Sequence, residues 1–472
     1  MKQMIWIIMI VTLASWSGMA REPELPDPDS ILFFPLKFEF SAPEITRLES
    51  GAEVYFFEQR TTPTVWLLVE IDAGAASDPQ GRYGCAELTA ETLRRGGTES
   101  RTPEEVDEIM ELLGISISAE AEADHSQLVM SCLTSDLDAA IDLFMDMLLN
   151  PRFDERRIDV SRTLMTNRIR RMQEYPFFEA SMQFQKALLG ANHPAARMPS
   201  ETDLGSLTRD DLIAFHRNYY KPDIARIGIV GNLNDVMRKK IETAIGGWTG
   251  AAAGRSVVPE PEPEMTGNRV ILMDKPGTQA AFVLGHLGPK PYHARTHALS
   301  VFSEIFGSGG MSTRLMNVIR TQKGYAYTVS GGFSSRIPNT VFEVDCQTKL
   351  ASVRDAIQTT LQIIDQMRTQ LVSASELKQA RESIQSSFVF NFERRKHLVQ
   401  RLFDYNRKGF PRDYLEKYLD NIRGISETDL MVAASECIDP AKIQVVVVGP
   451  ASDLQDDLKA LGWPIEVIPA AR

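Results

Sequence analysis

Two stretches with the same layout decide the fold of this chain: VYFFEQRTTPTVWLLVEIDAG at residues 54–74 and VILMDKPGTQAAFVLGHLG at residues 270–288. Each contains two runs rich in β-branched and aromatic residues, separated by a turn-forming segment, which predicts a pair of strands. Val270 follows Val54 by 216 residues. The same local structure is therefore expected twice along the chain.

A second pair of stretches closes each copy: IARIGIVGNLNDVMRKKIETAIGGW at residues 224–248 and IQVVVVGPASDLQDDLKALGW at residues 443–463. Gly449 follows Gly231 by 218 residues, so two separate anchors agree to within two residues. A fixed period of this kind indicates a duplicated domain. Between the anchors, apolar residues recur at helical spacing, most clearly in residues 136–149, 356–371 and 376–392. We expect an α+β fold made twice, each copy an antiparallel-rich sheet with helices packed mainly on one face.

The ends of the copies are marked by changes in composition. The first residues combine a lysine, an apolar run and small residues before a candidate cleavage point, which is typical of a secretory signal peptide. Small residues followed by a Pro-Glu run divide the remainder almost in half and indicate a stiff, solvated linker. The predicted organisation is a signal peptide at 1–20, a leader at 21–34, a first domain at 35–249, a linker at 250–268 and a second domain at 269–465.

Composition narrows the function classes. The 472 residues carry a formal charge of −12 without a basic stripe, which argues against a nucleic-acid partner. The signal peptide predicts export to the periplasm, with no integral membrane span after its removal. The cysteines are widely scattered without metal spacing and are expected to be buried small hydrophobes, namely Cys85, Cys132, Cys346 and Cys437.

Three further segments resemble the pitrilysin/insulinase family of peptidases, especially its small processing type: FHRNYYKPDIARIGIVGNL at 215–233, FGSGGMSTRL at 306–315 and VIRTQKGYAYTVSGGF at 318–333. The resemblance extends over about residues 35 to 460. It implies the mitochondrial processing peptidase/LuxS-like metallohydrolase fold. It also implies a zinc site on an inverted His-x-x-Glu-His helix, in which two histidines bind the metal and the glutamate acts as general base.

The stretch that matches this motif is YGCAELTAETLRRGGTES at residues 83–100, and it contains no histidine. Aligned from its first glycine, the motif positions fall on Glu87, Ala90 and Glu91. Aligned from the downstream Gly-Thr pair, they fall on Leu88, Glu91 and Thr92. The first histidine of the whole chain is His125, so neither register supplies an imidazole ligand.

The region of the third ligand is equally altered, because the expected position lies near Asn167 or Arg168. An arginine there repels a divalent cation. The sequence therefore predicts that the family's zinc site is lost and that this chain itself has no cofactor.

Two other groups of residues have a spacing at which they could bind a metal. Glu87 and Glu91 can share a hard cation at i, i+4 spacing, although such pairs more often form a solvated helix face. His293 and His297 are four residues apart with His286 nearby. No carboxylate lies between them, so a solvated helix N-terminus is the favoured interpretation.

A different pair of family residues is present. In heterodimeric members, the zinc lies on one subunit and the second domain of its partner supplies an arginine and a tyrosine that contact the substrate main chain. The resemblance places these substrate-binding residues at Arg320 and Tyr327. The alternative is an exposed arginine and a half-buried tyrosine without a role.

Two neighbouring features have simpler interpretations. The loop at residues 307–310 is expected to be a helix-joining turn that lets the chain approach substrate. Phe333 is expected to be a core aromatic.

These features predict a non-catalytic subunit of a secreted heterodimeric peptidase, with peptides as substrates and zinc on a homologous partner subunit. Two alternatives remain open: an independent enzyme with a relocated metal site, and a peptide-holding or structural protein without a peptidase partner.

Overall fold

The computed structural model describes residues 41–263, 267–392 and 394–469. The predicted signal peptide and leader lie outside this part of the chain. The strands are β1 Glu44–Arg47, β2 Glu53–Glu58, β3 Thr64–Ile71, β4 Ser116–Ala121, β5 Ser126–Leu133, β6 Ala225–Gly231, β7 Arg269–Asp274, β8 Gln279–Leu287, β9 Ala326–Ser334, β10 Val341–Lys349, β11 Gln444–Gly449 and β12 Ile465–Pro469.

The α-helices occupy most of the remaining described residues. They are α1 Cys85–Arg95, α2 Pro103–Leu113, α3 Leu137–Leu149, α4 Glu155–Gln173, α5 Pro176–Leu189, α6 Glu201–Ser206, α7 Arg209–Tyr219, α8 Asp235–Gly246, α9 Thr296–Ser303, α10 Val353–Thr369, α11 Ala374–Asn391, α12 Arg395–Arg407, α13 Tyr414–Gly424, α14 Glu427–Cys437 and α15 Ala451–Leu458. The three helical periodicities read from the sequence fall on α3, α10 and α11.

The strands form two six-stranded sheets with matching orders, β1-β2-β6-β3-β5-β4 and β12-β7-β11-β8-β10-β9. In each sheet a parallel pair, β2 with β6 or β7 with β11, joins an otherwise largely antiparallel arrangement. The edge position beside that pair is filled differently. β1 enters from the N-terminal side and pairs antiparallel, whereas β12 comes from the C-terminal side and pairs parallel. The predicted duplicated α+β fold is confirmed.

Each sheet is covered on one face by helices of its own half, which form a large apolar core. The opposite face, here called the outer face, receives a single helix from the other half. α5 packs its apolar side on the outer face of the second sheet. α12 packs on the outer face of the first sheet, where Val399 lies so close that a Cβ on Gly228 would meet its Cγ1 at 2.3 Å. The two halves are therefore joined by reciprocal coverage.

The predicted linker has neither helix nor strand in its described residues, but it is not fully solvated. Ser256 accepts a hydrogen bond from the backbone N–H of Gly74 at 2.8 Å. Arg255 donates to Asp72 at 2.6 Å. The segment docks on the first half because its small and polar side chains find hydrogen-bonding partners there.

Within the described residues, the helices include none with the length and apolar character needed to cross a bilayer. The cysteines are unpaired; three are buried and Cys437 is half-buried.

Candidate functional site

The helix that carries the altered zinc motif, α1, is fixed at its start. Gly84 has a φ of 85°, and a Cβ there would lie 2.9 Å from Leu204 Cδ2, so the position requires glycine. The carboxylate of Asp78 accepts hydrogen bonds from the backbone N–H groups of Gly84 and Ala86 at 2.9 and 2.8 Å. Burial raises the pKa of Asp78 to about 6. This cap sets which face of α1 points away from the core.

The two registers of the motif share Glu91, but Glu87 of one register and the pair Leu88 and Thr92 of the other lie on different faces of α1. Leu88 and Thr92 are completely buried in the core of the first half. Glu87 and Glu91 are half-buried on the remaining face, with Ala90 buried between them. The geometry therefore favours the register of Glu87, Ala90 and Glu91.

The expected third-ligand position lies directly beside this face. α4 packs against α1, and Arg168 places Nη2 3.6 Å from Oε2 of Glu91. Glu91 also accepts a hydrogen bond from Arg95 at 2.8 Å. Asn167, the other candidate, is exposed, and so is the Arg168 side chain, 56% of which is accessible to solvent. A guanidinium thus stands beside the motif helix where the resemblance places a metal-binding carboxylate.

Glu87 is surrounded by charges of both signs. Its pKa is raised to about 7, first by burial and then by the nearby charges of Asp78 and Glu122, while the charges of Arg168 and Arg197 oppose the shift. These five residues, with Glu91, are called the charge cluster below.

Three members of the charge cluster were missed by sequence reasoning. Arg197 stacks 3.8 Å above the ring centroid of Tyr83, donates to the carbonyl of Ala75 at 2.8 Å and lies 3.5 Å from Asp78. Glu122 comes from the β4–β5 turn. Of the three, Asp78 alone carried a local signal, an acidic residue shortly before a helix start.

The charge cluster does not fit a zinc ion. Protein zinc sites are built from imidazoles and thiolates with at most a few carboxylates. Here the motif positions supply Glu87 and Glu91, and the guanidinium of Arg168 provides the positive charge that balances them. In residues 41–263, 267–392 and 394–469, no three His, Cys, Asp or Glu side chains are grouped to hold a metal.

The three histidines of the alternative site are engaged separately. Nε2 of His286 accepts from the backbone N–H of Asp439 at 3.1 Å. His297 stacks on Tyr414 with ring centroids 5.1 Å apart, and His293 lies half-buried before α9. His297 lies at the start of α9, as expected, but it is half-buried rather than solvated, because Tyr414 and Tyr418 of α13 pack on its ring.

Arg320 and Tyr327 lie in the second half and are both exposed. Arg320 belongs to a π-helical segment, Met316–Gln322, and its nearest polar contact is the sulfur of Met311 at 3.4 Å. The Tyr327 side chain is 61% exposed on the edge strand β9, rather than half-buried. Both side chains retain free hydrogen-bond donors.

A β-bulge accounts for the exposure of Tyr327. In the β9–β10 pairing, Gln347 lies opposite Thr328 and Thr348 lies opposite Ala326, which leaves Tyr327 without a partner. Bulges of this kind redirect a side chain away from its regular face.

The glycine loop serves this edge strand. A Cβ on Gly307 would lie 2.5 Å from the backbone N of Gly331 on β9, so this glycine lets the loop pack closely on the strand. Phe333 packs on Phe342 with centroids 5.0 Å apart and is half-buried, as expected for an aromatic at the edge of a core.

Duplicated sheets crossed by each other's helices, together with a motif helix at the predicted place, define a peptidase-like protein. Two family models match: Insulinase (Peptidase family M16) over residues 54–192 and Peptidase M16 inactive domain over residues 206–384. The chain belongs to the pitrilysin/insulinase family.

Individual relatives are distant. The uncharacterized zinc protease YmxG of Bacillus subtilis (strain 168) is 23% identical over 347 residues, which cover 73% of this chain and 83% of that protein. A peptidase M16 inactive domain from Pseudomonas fluorescens superposes with a TM-score of 0.78 at 22% identity, covering 86% of this chain and 98% of that one. The periplasmic protease PqqL from Escherichia coli gives a TM-score of 0.73 at 13% identity, with 90% and 49% covered. These structures share the fold.

Proposed function

We propose that this chain is a non-catalytic subunit of an exported heterodimeric zinc peptidase, in which it helps to bind and enclose peptide substrates. The observation that carries the proposal is the guanidinium of Arg168 beside Glu91, which puts a cation next to the motif positions. A chain with this charge arrangement has no means of activating water at that place. Hydrolysis is then the task of a homologous subunit that keeps its zinc.

The second half supplies what such a subunit contributes. Arg320 and Tyr327 present a guanidinium and a phenol, both of which donate hydrogen bonds. Positioned against a peptide carbonyl, these donors hold the substrate main chain and stabilise the oxyanion that develops beside the partner's metal. The bulge at Tyr327 supports this role, because it turns the phenol out of the sheet.

The test uses the purified chain and the homologue with an intact His-x-x-Glu-His motif encoded nearest to it. We expect the two to co-elute in size-exclusion chromatography. The mixture should cleave unfolded peptides in a chelator-sensitive manner, while this chain alone does not. Loss of one oxyanion donor costs about 10²-fold in turnover in enzymes of known mechanism, so Arg320→Ala and Tyr327→Phe should each lower the turnover of the mixture by about 10- to 100-fold.

Arg156→Ala is the matched control, because Arg156 is also exposed but lies on α4. Peptide cleavage by this chain alone, with stoichiometric zinc, would instead establish an independent enzyme. Recovery of intact peptide without a zinc-bearing partner would indicate a peptide-holding protein.

A further inference from the structure

A cavity of about 600 Å³ opens where the start of α12 crosses the outer face of the first sheet. Its floor is a row of cross-strand neighbours, Val230 on β6, Trp66 on β3 and Ser131 on β5. It is called the basic cavity below. It is built by residues of both halves and lies on the face of the sheet opposite to α1.

Three consecutive cations form the wall of the basic cavity: Arg394, Arg395 and Lys396. None of the three makes an ion pair within 4.0 Å with a carboxylate of the described residues. Glu393, which directly precedes them in the sequence, lies outside that set. The guanidinium of Arg395 lies 5.8 Å from the ring centroid of Phe57. Three like charges crowd together here on a chain whose net charge is −12.

The opposite end of the same helix is treated differently. Arg407 ion-pairs with Glu70 and with Asp124, the latter at 3.0 Å. Unlike Arg407, the cations at the start of α12 make no ion pair with the described residues of the sheet, and Arg395 approaches it over the ring of Phe57. The positive potential of these cations is therefore available to attract a ligand that is not part of the described chain.

The rim of the basic cavity offers hydrogen-bonding groups of both kinds. Gln59 contributes an amide, and Thr61 and Thr64 contribute hydroxyls. Amides and hydroxyls can both donate to and accept from a peptide backbone. The indole of Trp66 adds a flat apolar surface on the floor.

A second cavity, of about 440 Å³, lies beside the start of α5 and reaches Met273 on β7, while the rest of its lining comes from the first half. Its cations are Arg170 and Lys186, and its carboxylates are Glu179 and Glu201. Arg170 pairs with Glu201, and Glu179 pairs with Lys275. Carboxylates therefore accompany the cations in that cavity, whereas the described lining of the basic cavity contains none.

We propose that the basic cavity binds an acidic stretch of a peptide. The three cations select carboxylates, and the amide and hydroxyl groups accommodate the backbone between them. The volume exceeds what a single phosphate fills, and the chain belongs to a family of peptidases. This binding takes place on the isolated chain and does not depend on the proposed partner subunit.

The experiment titrates the full chain with a fluorescein-labelled octamer of glutamate at low salt, read by anisotropy. A lysine octamer and an uncharged Gly-Ser octamer serve as comparison probes. The cavity variant is Arg394→Gln, Arg395→Gln and Lys396→Gln combined. The matched control combines Arg156→Gln, Lys239→Gln and Lys349→Gln, which removes the same charge from exposed positions elsewhere. Thermal melting confirms that both variants fold.

We expect the acidic octamer alone to bind, and the cavity variant to lose affinity by about tenfold or more while the control keeps it. Binding should shift the fluorescence of Trp66, and Trp66→Phe should abolish that shift. Equal loss in the two triple variants would overturn the proposal, because it would show attraction by overall charge. It would also be overturned if a glutamate dimer or inorganic phosphate bound as tightly as the octamer, or if only anionic lipid vesicles bound.

Discussion

The two sheets share their strand order and are each crossed by one helix from the other half, but the charged residues at the two crossings are arranged differently. On the first sheet, Arg407 of α12 pairs with Glu70 and Asp124, all of them largely buried. On the second sheet, α5 buries Phe184 and its apolar neighbours against strand residues such as Val283.

Apolar packing and a buried ion pair occur at both crossings, because α12 also buries Val399 and Phe403, and Glu179 of α5 pairs with Lys275 at 2.6 Å. The first crossing differs in that its carboxylates and arginines form an extended network.

The difference begins with equivalent positions on the strands. Arg226 on β6 corresponds in register to Gln444 on β11. In the second sheet, Gln444 is satisfied locally by Arg269 at 2.6 Å. In the first sheet, Arg226 is bound by Glu70 and Asp72, and Glu70 in turn requires Arg407 from the other half. Buried charges in the first half therefore make the contact between halves specific.

The largest effect is expected from Arg407→Met. The change keeps the length of the side chain but removes one buried charge partner of Glu70, which keeps Arg226, and of Asp124, which keeps His125. Removing one member of a buried ion pair costs about 3–5 kcal/mol. Urea unfolding near neutral pH should show a correspondingly lower midpoint. An unchanged midpoint would mean that the network contributes nothing to the crossing.

The loss of stability caused by Arg407→Met should depend on pH. Burial raises the pKa of Asp124, but the hydrogen bond and charge of His125 and the charge of Arg407 outweigh it, so that the pKa falls to about 2. A lowered carboxylate pKa stabilises the fold above the ordinary value near 4, and this contribution is lost as pH falls toward 2. The difference between wild type and Arg407→Met should therefore shrink between about pH 4 and pH 2.

Phe184→Ala is the counterpart in the second half. Truncating a fully buried phenylalanine leaves a cavity and costs about 3 kcal/mol or more. Because no charge is involved, the loss should be the same at acidic and neutral pH. A loss that varied with pH as strongly as that of Arg407→Met would break the distinction between the two crossings.

The sequence revealed most of the shared architecture and little of this difference. Repeat spacing predicted the paired sheets because strand patterns are local. The sequence did not reveal that α5 and α12 each pack on the sheet of the other half. Both helices have ordinary amphipathic patterns, which do not indicate which sheet a helix covers. Arg407 gave no sign that its partners lie more than 280 residues earlier.

In the candidate site, too, some features could be predicted from the sequence and others could not. The absence of histidine before His125 was plain in the sequence, and so was the candidate position of Arg168. Asp78, Glu122 and Arg197 come together only through folding, and only the register of β9 against β10 exposes the bulge at Tyr327.

A smaller effect is expected from Glu87→Gln, which tests the charge cluster of the first half. Burial and the charges of Asp78 and Glu122 raise the pKa of Glu87 to about 7. A raised carboxylate pKa favours folding below the ordinary value near 4.5, and that advantage is lost as pH rises through 7. Glutamine should therefore stabilise the protein by about 1–2 kcal/mol near pH 8 and hardly at pH 4. Glu111→Gln, at an exposed position of α2, is the control and should show no such dependence on pH.

The smallest effect on stability is expected from changes at Arg320 and Tyr327 in the second half. Both side chains are exposed, and neither makes an ion pair among the described residues. Surface changes away from buried groups alter the free energy of unfolding by about 0.5 kcal/mol or less, so Arg320→Ala and Tyr327→Phe should unfold at the wild-type urea midpoint. An unchanged midpoint, together with the loss of turnover expected in the mixture with a zinc-bearing subunit, would indicate that the two residues contact substrate and do not stabilise the fold. A midpoint lowered as far as that of Arg407→Met would instead assign both residues to the fold, because only groups that the folded chain itself uses can stabilise it in the absence of a partner.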